Sequence, residues 1–149
     1  MASNPTGCSV EARLIDWPAA QAMTQAAARH AQQLGVRINI AVVDAAGNLA
    51  AFLRMPGAPL HSIDIAIDKA YTAASFGLAT SGWSEALRLH SEAVRQGLVL
   101  RPRFVAFGGG LTIVEGGHRV GAIGVSGGSE DEDEQCASAG LRVLGLAPP

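Results

Sequence analysis

The sequence predicts an α+β domain in which about five antiparallel strands form a sheet flanked by helices. Two observations predict this class. Patterns typical of helices and strands follow one another in the order helix, two strands, two helices, three strands, helix. Neighbouring strand patterns are joined by short turns, and strands joined in this way pair antiparallel. The length of 149 residues and a hydrophobic content of 48% suit one domain with its own core.

Glycines, prolines and polar turns divide the chain into these elements. Asp16 can cap the first helix, with Pro18 in its first turn, and Gly35 ends it. Ser129 opens the last helix and has Glu132 three residues later, which is the capping-box spacing. The predicted elements are a helix over 19–34, strands over 37–44 and 49–54, helices over 60–76 and 84–95, strands over 104–107, 111–114 and 119–125, and a helix over 129–144.

Composition and charge narrow the function classes. Residues 1–10 are predicted to be a disordered tail and residues 11–149 the domain. We expect a cytoplasmic protein, because no signal peptide or membrane-length apolar run is present. The net charge of −2 includes five consecutive acids at 130–134, and the basic residues are scattered, so no nucleic-acid partner is expected. The high apolar content predicts a homo-oligomer.

Lys69 is the only lysine in a chain that also contains ten arginines. It lies within an otherwise largely apolar helical segment, and lysine is a compact charge whose pKa moves readily on burial. One interpretation is that an ammonium group is needed at this position. The other is an ordinary side chain whose stem is buried and whose charge reaches water.

The helix that contains Lys69 also has a polar face. On a helical wheel His61, Asp64 and Asp68 lie on this face, with Lys69 at its margin. The face is either solvated or the wall of a site. In the second case Lys69 would hold a ligand carboxylate, and Asp64 or His61 would transfer a proton. Arg54, just before the helix, is a candidate carboxylate clamp or an ordinary edge arginine.

One histidine and two glycine clusters complete the candidates. His30 lies on the apolar face of the first helix, where it is either a hydrogen-bonded core residue or an axial ligand to haem or a metal. Gly109 and Gly110 allow the backbone to approach a ligand or another strand. Gly127 and Gly128 precede a helix start, a geometry that can receive an anion. We therefore include these four glycines among the predicted ligand-binding residues.

Several segments share their order and residue types with one known family. They lie at 40–49, 54–55, 57–59, 62–66, 69–73, 108–110, 121–128 and 133–137. On these motifs the chain resembles the GlcG/HbpS family, which is related to the C-terminal domain of PduO. The resemblance extends from about residue 16 to residue 144.

This resemblance implies a five-stranded antiparallel sheet and assembly into tetramers or octamers. Some members bind haem, so we expect a protein of small-molecule catabolism that binds haem or another small anionic organic ligand. The alternative is a cofactor-free isomerase, tautomerase or lyase that acts on a small carboxylate with Lys69, Asp64 and His61. One member binds iron through two glutamates three residues apart. The matching residues here are Asp64 and Ile67, and we predict no metal site.

Overall fold

Within residues 7–149, four antiparallel strands form one sheet, in the order β2-β1-β4-β3, and five helices accompany it. The computed structural model describes residues 7–149. The elements are α1 (Trp17–Leu34), β1 (Asn39–Asp44), β2 (Leu49–Arg54), α2 (Ser62–Phe76), α3 (Trp83–Ala86), α4 (Glu92–Leu98), β3 (Gly110–Glu115), β4 (His118–Ser126) and α5 (Glu130–Val143). Of the predicted disordered tail, residues 1–6 lie outside the described part, and residues 7–10 contain no helix or strand.

The α+β class and the antiparallel sheet are confirmed, but the prediction of a fifth strand at 104–107 is wrong. The Thr72 hydroxyl donates to the carbonyl of Arg103 at 2.9 Å and accepts from the amide of Val105 at 3.1 Å. The Phe104 ring makes edge contacts with two other aromatic rings. A side chain of α2 therefore takes the backbone bonds that a neighbouring strand would have taken, and the segment stays on the helix.

The helix predicted at 84–95 is also interrupted. The chain forms α3, a short 3₁₀ turn at Leu87–Leu89, and then α4. His90 and Ser91 between them have extended backbone angles, and the Ser91 side chain accepts from the amide of Val94 as the N-cap of α4. A serine in this position favours a new helix start over a continuous helix.

Helices cover both faces of the sheet, and the two faces differ in the size of their side chains. Helices α1 and α5 pack on the face that carries the larger residues, including Ile40, Val42 and Ile123. Helix α2 packs through alanines on the opposite face. It approaches so closely that a Cβ atom on Gly124 would collide with the carbonyl oxygen of Ala66.

Within residues 7–149, no helix combines the length and the hydropathy needed to cross a bilayer.

Candidate functional site

Lys69 is buried. Its side chain is 1% exposed, and its Nζ donates to the carbonyl oxygen of Val125 at 2.8 Å and to Oδ2 of Asp133 at 2.9 Å. The ring of Phe107 lies 5.0 Å from the same nitrogen, within the range of a cation–π contact. The ammonium is therefore enclosed by protein partners.

Asp133 connects this ammonium to helix α5. Its Oδ1 accepts from the amide of Gly128 at 2.9 Å, so both carboxylate oxygens are hydrogen-bonded. Helices α2 and α5 lie on opposite faces of the sheet, and the pair joins them at the start of β3. A Cβ atom on Gly109 would lie 2.7 Å from Nζ of Lys69, so only glycine leaves room for the pair here.

Burial dominates the electrostatics of the pair. Desolvation lowers the pKa of Lys69, and the Asp133 carboxylate opposes this shift. Desolvation also raises the pKa of Asp133, against the effect of the Lys69 ammonium and the amide of Gly128. Both pKa shifts favour the uncharged partners, as expected where attraction only partly offsets the loss of water.

The structure does not bring Lys69 together with the two other predicted catalytic residues. His61 and Asp64 lie exposed at the N-terminal end of α2, whereas Lys69 is enclosed. Asp68, from the same predicted polar face, accepts from Nε of Arg103 at 3.0 Å. The Arg54 guanidinium donates to the carbonyl of Ala58 at 2.8 Å and so holds the loop before α2.

The four predicted ligand-binding glycines lie against protein atoms. The amide of Gly110 donates to the Thr80 hydroxyl at 2.8 Å, and a Cβ atom there would lie 2.6 Å from the carbonyl oxygen of Lys69. A Cβ atom on Gly127, whose φ is 138°, would collide with the carbonyl oxygen of Arg37. Gly109 and Gly128 contact the ion pair described above. These positions allow close backbone packing, and their ligand-binding role stays a prediction.

His30 lies at a cavity of about 550 Å³ between α1 and α5. Its Nε2 atom is shielded from water and has no hydrogen-bond partner within residues 7–149. Buried polar atoms of this kind are uncommon, because losing water without gaining a partner is unfavourable. The other residues that line the cavity all belong to α5: Asp131, Glu134, Gln135, Ser138 and Arg142.

Sequence reasoning missed Asp133 and the cavity-lining face of α5. The run of five acids concealed both, because adjacent carboxylates at a helix N-terminus are favourable there without any inward partner. A usable signal existed, since a lysine that is buried requires a carboxylate or carbonyl partner. Nothing in the sequence indicated which of the five acids would turn inward.

The comparisons with known proteins agree with this architecture. The family model described as "Haem degrading protein HbpS-like" matches residues 15–142. An uncharacterized 15.0 kDa protein from the dhaT–dhaS intergenic region of Citrobacter freundii is 35% identical over 127 residues, which cover 85% of this chain and 89% of that protein. The corrinoid adenosyltransferase PduO of Salmonella typhimurium is 33% identical over 83% of this chain, which spans only 37% of the PduO length.

Two solved structures are also similar over nearly the whole chain. Protein ORFY of Klebsiella pneumoniae has a TM-score of 0.86 and 31% identity, and covers 94% of this chain and 97% of its own. PduOC, crystallised as a haem complex, has a TM-score of 0.80 and 32% identity, with coverage of 91% and 97%. The resemblance that the sequence motifs predicted is confirmed: the chain belongs to the HbpS-like family.

Proposed function

We propose that the protein binds haem, or a similar planar anionic ligand, in the cavity between α1 and α5, with His30 as the axial group. The observation that carries the proposal is the imidazole nitrogen of His30, which lacks a hydrogen-bond partner and belongs to a residue that lines the cavity. Neutral imidazole is a common ligand of haem iron. Because Nε2 is shielded from water, coordination requires a rotation of the ring towards the cavity.

The charges along α5 favour one orientation of such a ligand. Asp131 and Arg142 lie eleven positions apart on this helix, or about 17 Å at 1.5 Å per residue. Haem propionates would pair with the Arg142 guanidinium at the far end. Asp131 and Glu134 would repel propionates at the near end, so the ligand is expected to point its apolar edge in that direction.

Relatives support the same ligand class. PduOC has been crystallised as a haem complex, and the matching family model is described as haem-degrading. A place in small-molecule catabolism rests on the family resemblance alone. Exposed apolar side chains support the proposed homo-oligomer, since Leu60, Leu89 and Leu100 are 73%, 84% and 81% exposed.

The alternative of a cofactor-free enzyme gains no support from the geometry. Lys69 is enclosed and already bonds a carboxylate and a carbonyl, and it is separated from the exposed Asp64 and His61. A substrate would have to displace Asp133 to reach the ammonium. The roles of Lys69, Asp64 and His61 in catalysis stay predictions.

A hemin titration tests the proposal. The purified protein should shift and sharpen the Soret band at a stoichiometry of one hemin per chain, and His30→Ala should abolish this shift. His90→Ala is the matched control, because His90 is exposed and lies outside the cavity lining. Thermal melting of both variants establishes that they are folded. An unchanged Soret shift in His30→Ala, or an equal loss in His90→Ala, contradicts the proposal.

A further inference from the structure

A second cavity, unrelated to His30, lies between the C-terminal half of α2 and the loop that follows α4. It has a volume of about 130 Å³, and its exposed lining is almost wholly apolar. We call it the α2–loop cleft. Its principal lining residues are Tyr71, Phe76, Leu98, Arg101, Arg103 and Phe104.

Arg103 is held in place by three residues on one face of α2. Its Nε donates to Oδ1 of Asp68 at 3.0 Å, its guanidinium carbon lies 3.6 Å from the centre of the Tyr71 ring, and its carbonyl accepts from the Thr72 hydroxyl at 2.9 Å. Within residues 7–149 the terminal nitrogens of the guanidinium have no acceptor and can bind one from a ligand. This arrangement orients a cation at the rim of the cleft before any ligand arrives.

The backbone of Arg103 is strained where its side chain makes these contacts. Its φ is 65°, and within residues 7–149 it is the one non-glycine residue in the left-handed region. That conformation is costly for a residue with a side chain, and such outliers concentrate at functional sites. The strained backbone therefore coincides with the arginine whose guanidinium is held at the rim of the cleft.

Arg101 adds a second positive charge. It is exposed, and in the described part of the chain the basic residues in ion pairs are Arg13, Lys69, Arg88 and Arg103. Asp68 neutralises Arg103 but not Arg101, so the rim of the cleft keeps a net positive charge. An apolar floor beneath such a rim matches an amphiphilic anion.

We infer that the α2–loop cleft binds a small organic monocarboxylate, with its apolar or aromatic portion among Tyr71, Phe76 and Phe104 and its carboxylate at Arg101 and Arg103. The cleft volume of about 130 Å³ limits the size of the apolar portion. An engineered apolar cavity of about 150 Å³ accepts benzene, so one ring or a short branched chain fits here and a haem does not.

Titration of ¹⁵N-labelled protein with benzoate tests this inference. Saturable shift changes are expected at the amides of residues 71, 98–101, 103 and 104, with the millimolar affinity usual for a ligand of this size. Benzamide has the same shape without the charge and should bind about tenfold more weakly. The inference is overturned when benzoate causes no saturable change, when benzamide binds equally well, or when the changes cluster at His30 and Arg142 instead.

Two arginine variants complete the test. Arg101→Gln should weaken benzoate binding about tenfold, whereas Arg95→Gln, on the exposed surface of α4, should leave it unchanged. Because Arg101 is exposed and has no ion-pair partner in the described part of the chain, its substitution should not alter the melting temperature. Equal affinity in wild type and Arg101→Gln contradicts the inference. Hemin binding should persist in Arg101→Gln, so a failure here is distinguishable from a failure of the haem proposal.

Discussion

The two faces of helix α5 both carry acidic residues, but the acid on one face is buried and paired whereas those on the other line a cavity. On the inner face Asp133 is 2% exposed and bonds both Lys69 and an amide. On the outer face Asp131 and Glu134 line an accessible cavity together with His30, whose Nε2 has no partner in residues 7–149. The charge on the inner face is paired within the protein, whereas the cavity beside the outer face is also lined by His30 of α1, whose Nε2 has no partner within residues 7–149.

This difference separates structural charges from binding groups. A buried ion pair in which both carboxylate oxygens and two of the three ammonium donors are hydrogen-bonded contributes to one defined packing of α2 against α5. An unpartnered nitrogen is stabilised when a ligand supplies its missing bond, which for His30 requires the ring to rotate towards the cavity. Among the buried polar atoms without a partner in residues 7–149, which also include Asn39 Oδ1 and Trp83 Nε1, that of His30 belongs to a residue lining the cavity between α1 and α5, and this combination supports the proposed site.

The largest effect on stability is expected when the buried ion pair on the inner face of α5 is broken. Lys69→Met should lower the free energy of unfolding by about 3–5 kcal/mol, because it leaves the Asp133 carboxylate buried without its partner. The double variant Lys69→Met/Asp133→Leu should recover much of this loss. Urea denaturation measures both. Arg88→Met is the control, because its pair with Glu85 is about three-quarters exposed, and it should cost no more than about 0.5 kcal/mol.

If Lys69→Met lowers the free energy of unfolding no more than Arg88→Met does, the contrast between the two faces of α5 is wrong. The same holds if the double variant is as unstable as the single one, because the cost would then lie in packing and not in an unpaired charge.

The next largest effect on stability is expected at Gly109, whose missing side chain leaves room for the Lys69–Asp133 pair. Gly109→Ala should cost about 2 kcal/mol or more, since its φ is 127° and the new Cβ would lie 2.7 Å from Nζ of Lys69. Gly97→Ala is the matched control: it lies in α4 with open space around it and should stabilise by about 0.5–1 kcal/mol. Equal unfolding midpoints for the two variants would contradict this account of Gly109.

Local signals were sufficient for most of the fold. Caps at Asp16, Gly35 and Ser129 placed the ends of α1 and α5 to within a few residues. The segment 104–107 has the apolar composition of a strand, but its partners are the Thr72 hydroxyl and aromatic rings distant in sequence. Tertiary contacts of this kind leave no local pattern to detect.

The candidate site was less accessible to sequence reasoning. The burial of Lys69 follows from alanine-rich packing on a glycine-containing strand, which is readable only once the register is known. Whether His30 is satisfied depends on what α5 places opposite it, and periodicity within α1 does not reveal that. The sequence thus identified both residues as candidates, while the enclosure of Lys69 and the unpartnered nitrogen of His30 within residues 7–149 are visible only in the structure.

A smaller, pH-dependent effect tests the inner face again at Cys136. Burial raises the pKa of this thiol to about 12 from an ordinary value of 9.0. The folded protein therefore holds a proton that the unfolded chain releases above pH 9.0, and stability present below that pH is lost as pH rises. Relative to Cys136→Ala, the wild type should lose about 1.4 kcal/mol of unfolding free energy by pH 10.

Urea titrations of both proteins at pH 8 and pH 10, in a Cys8→Ser background, measure this difference. A thiol reagent provides an independent check, because the exposed Cys8 should react in the folded wild-type protein and the buried Cys136 only after unfolding. Equal pH dependence of the two proteins, or rapid labelling of Cys136 in the folded state, would show that the inner face is open.

The smallest effect is expected for a substitution on the outer face of α5, which should change hemin affinity more than stability. Asp131→Asn removes an exposed charge, so the free energy of unfolding should change by about 0.5 kcal/mol or less. Hemin affinity should increase about twofold to fivefold, because one repulsion against the propionates is lost. Added salt should reduce this gain by screening. Glu92→Gln, outside the cavity lining, is the control and should leave affinity unchanged. If Asp131→Asn instead weakens hemin binding, the propionates do not point away from that end, and the charge gradient along α5 does not orient the ligand.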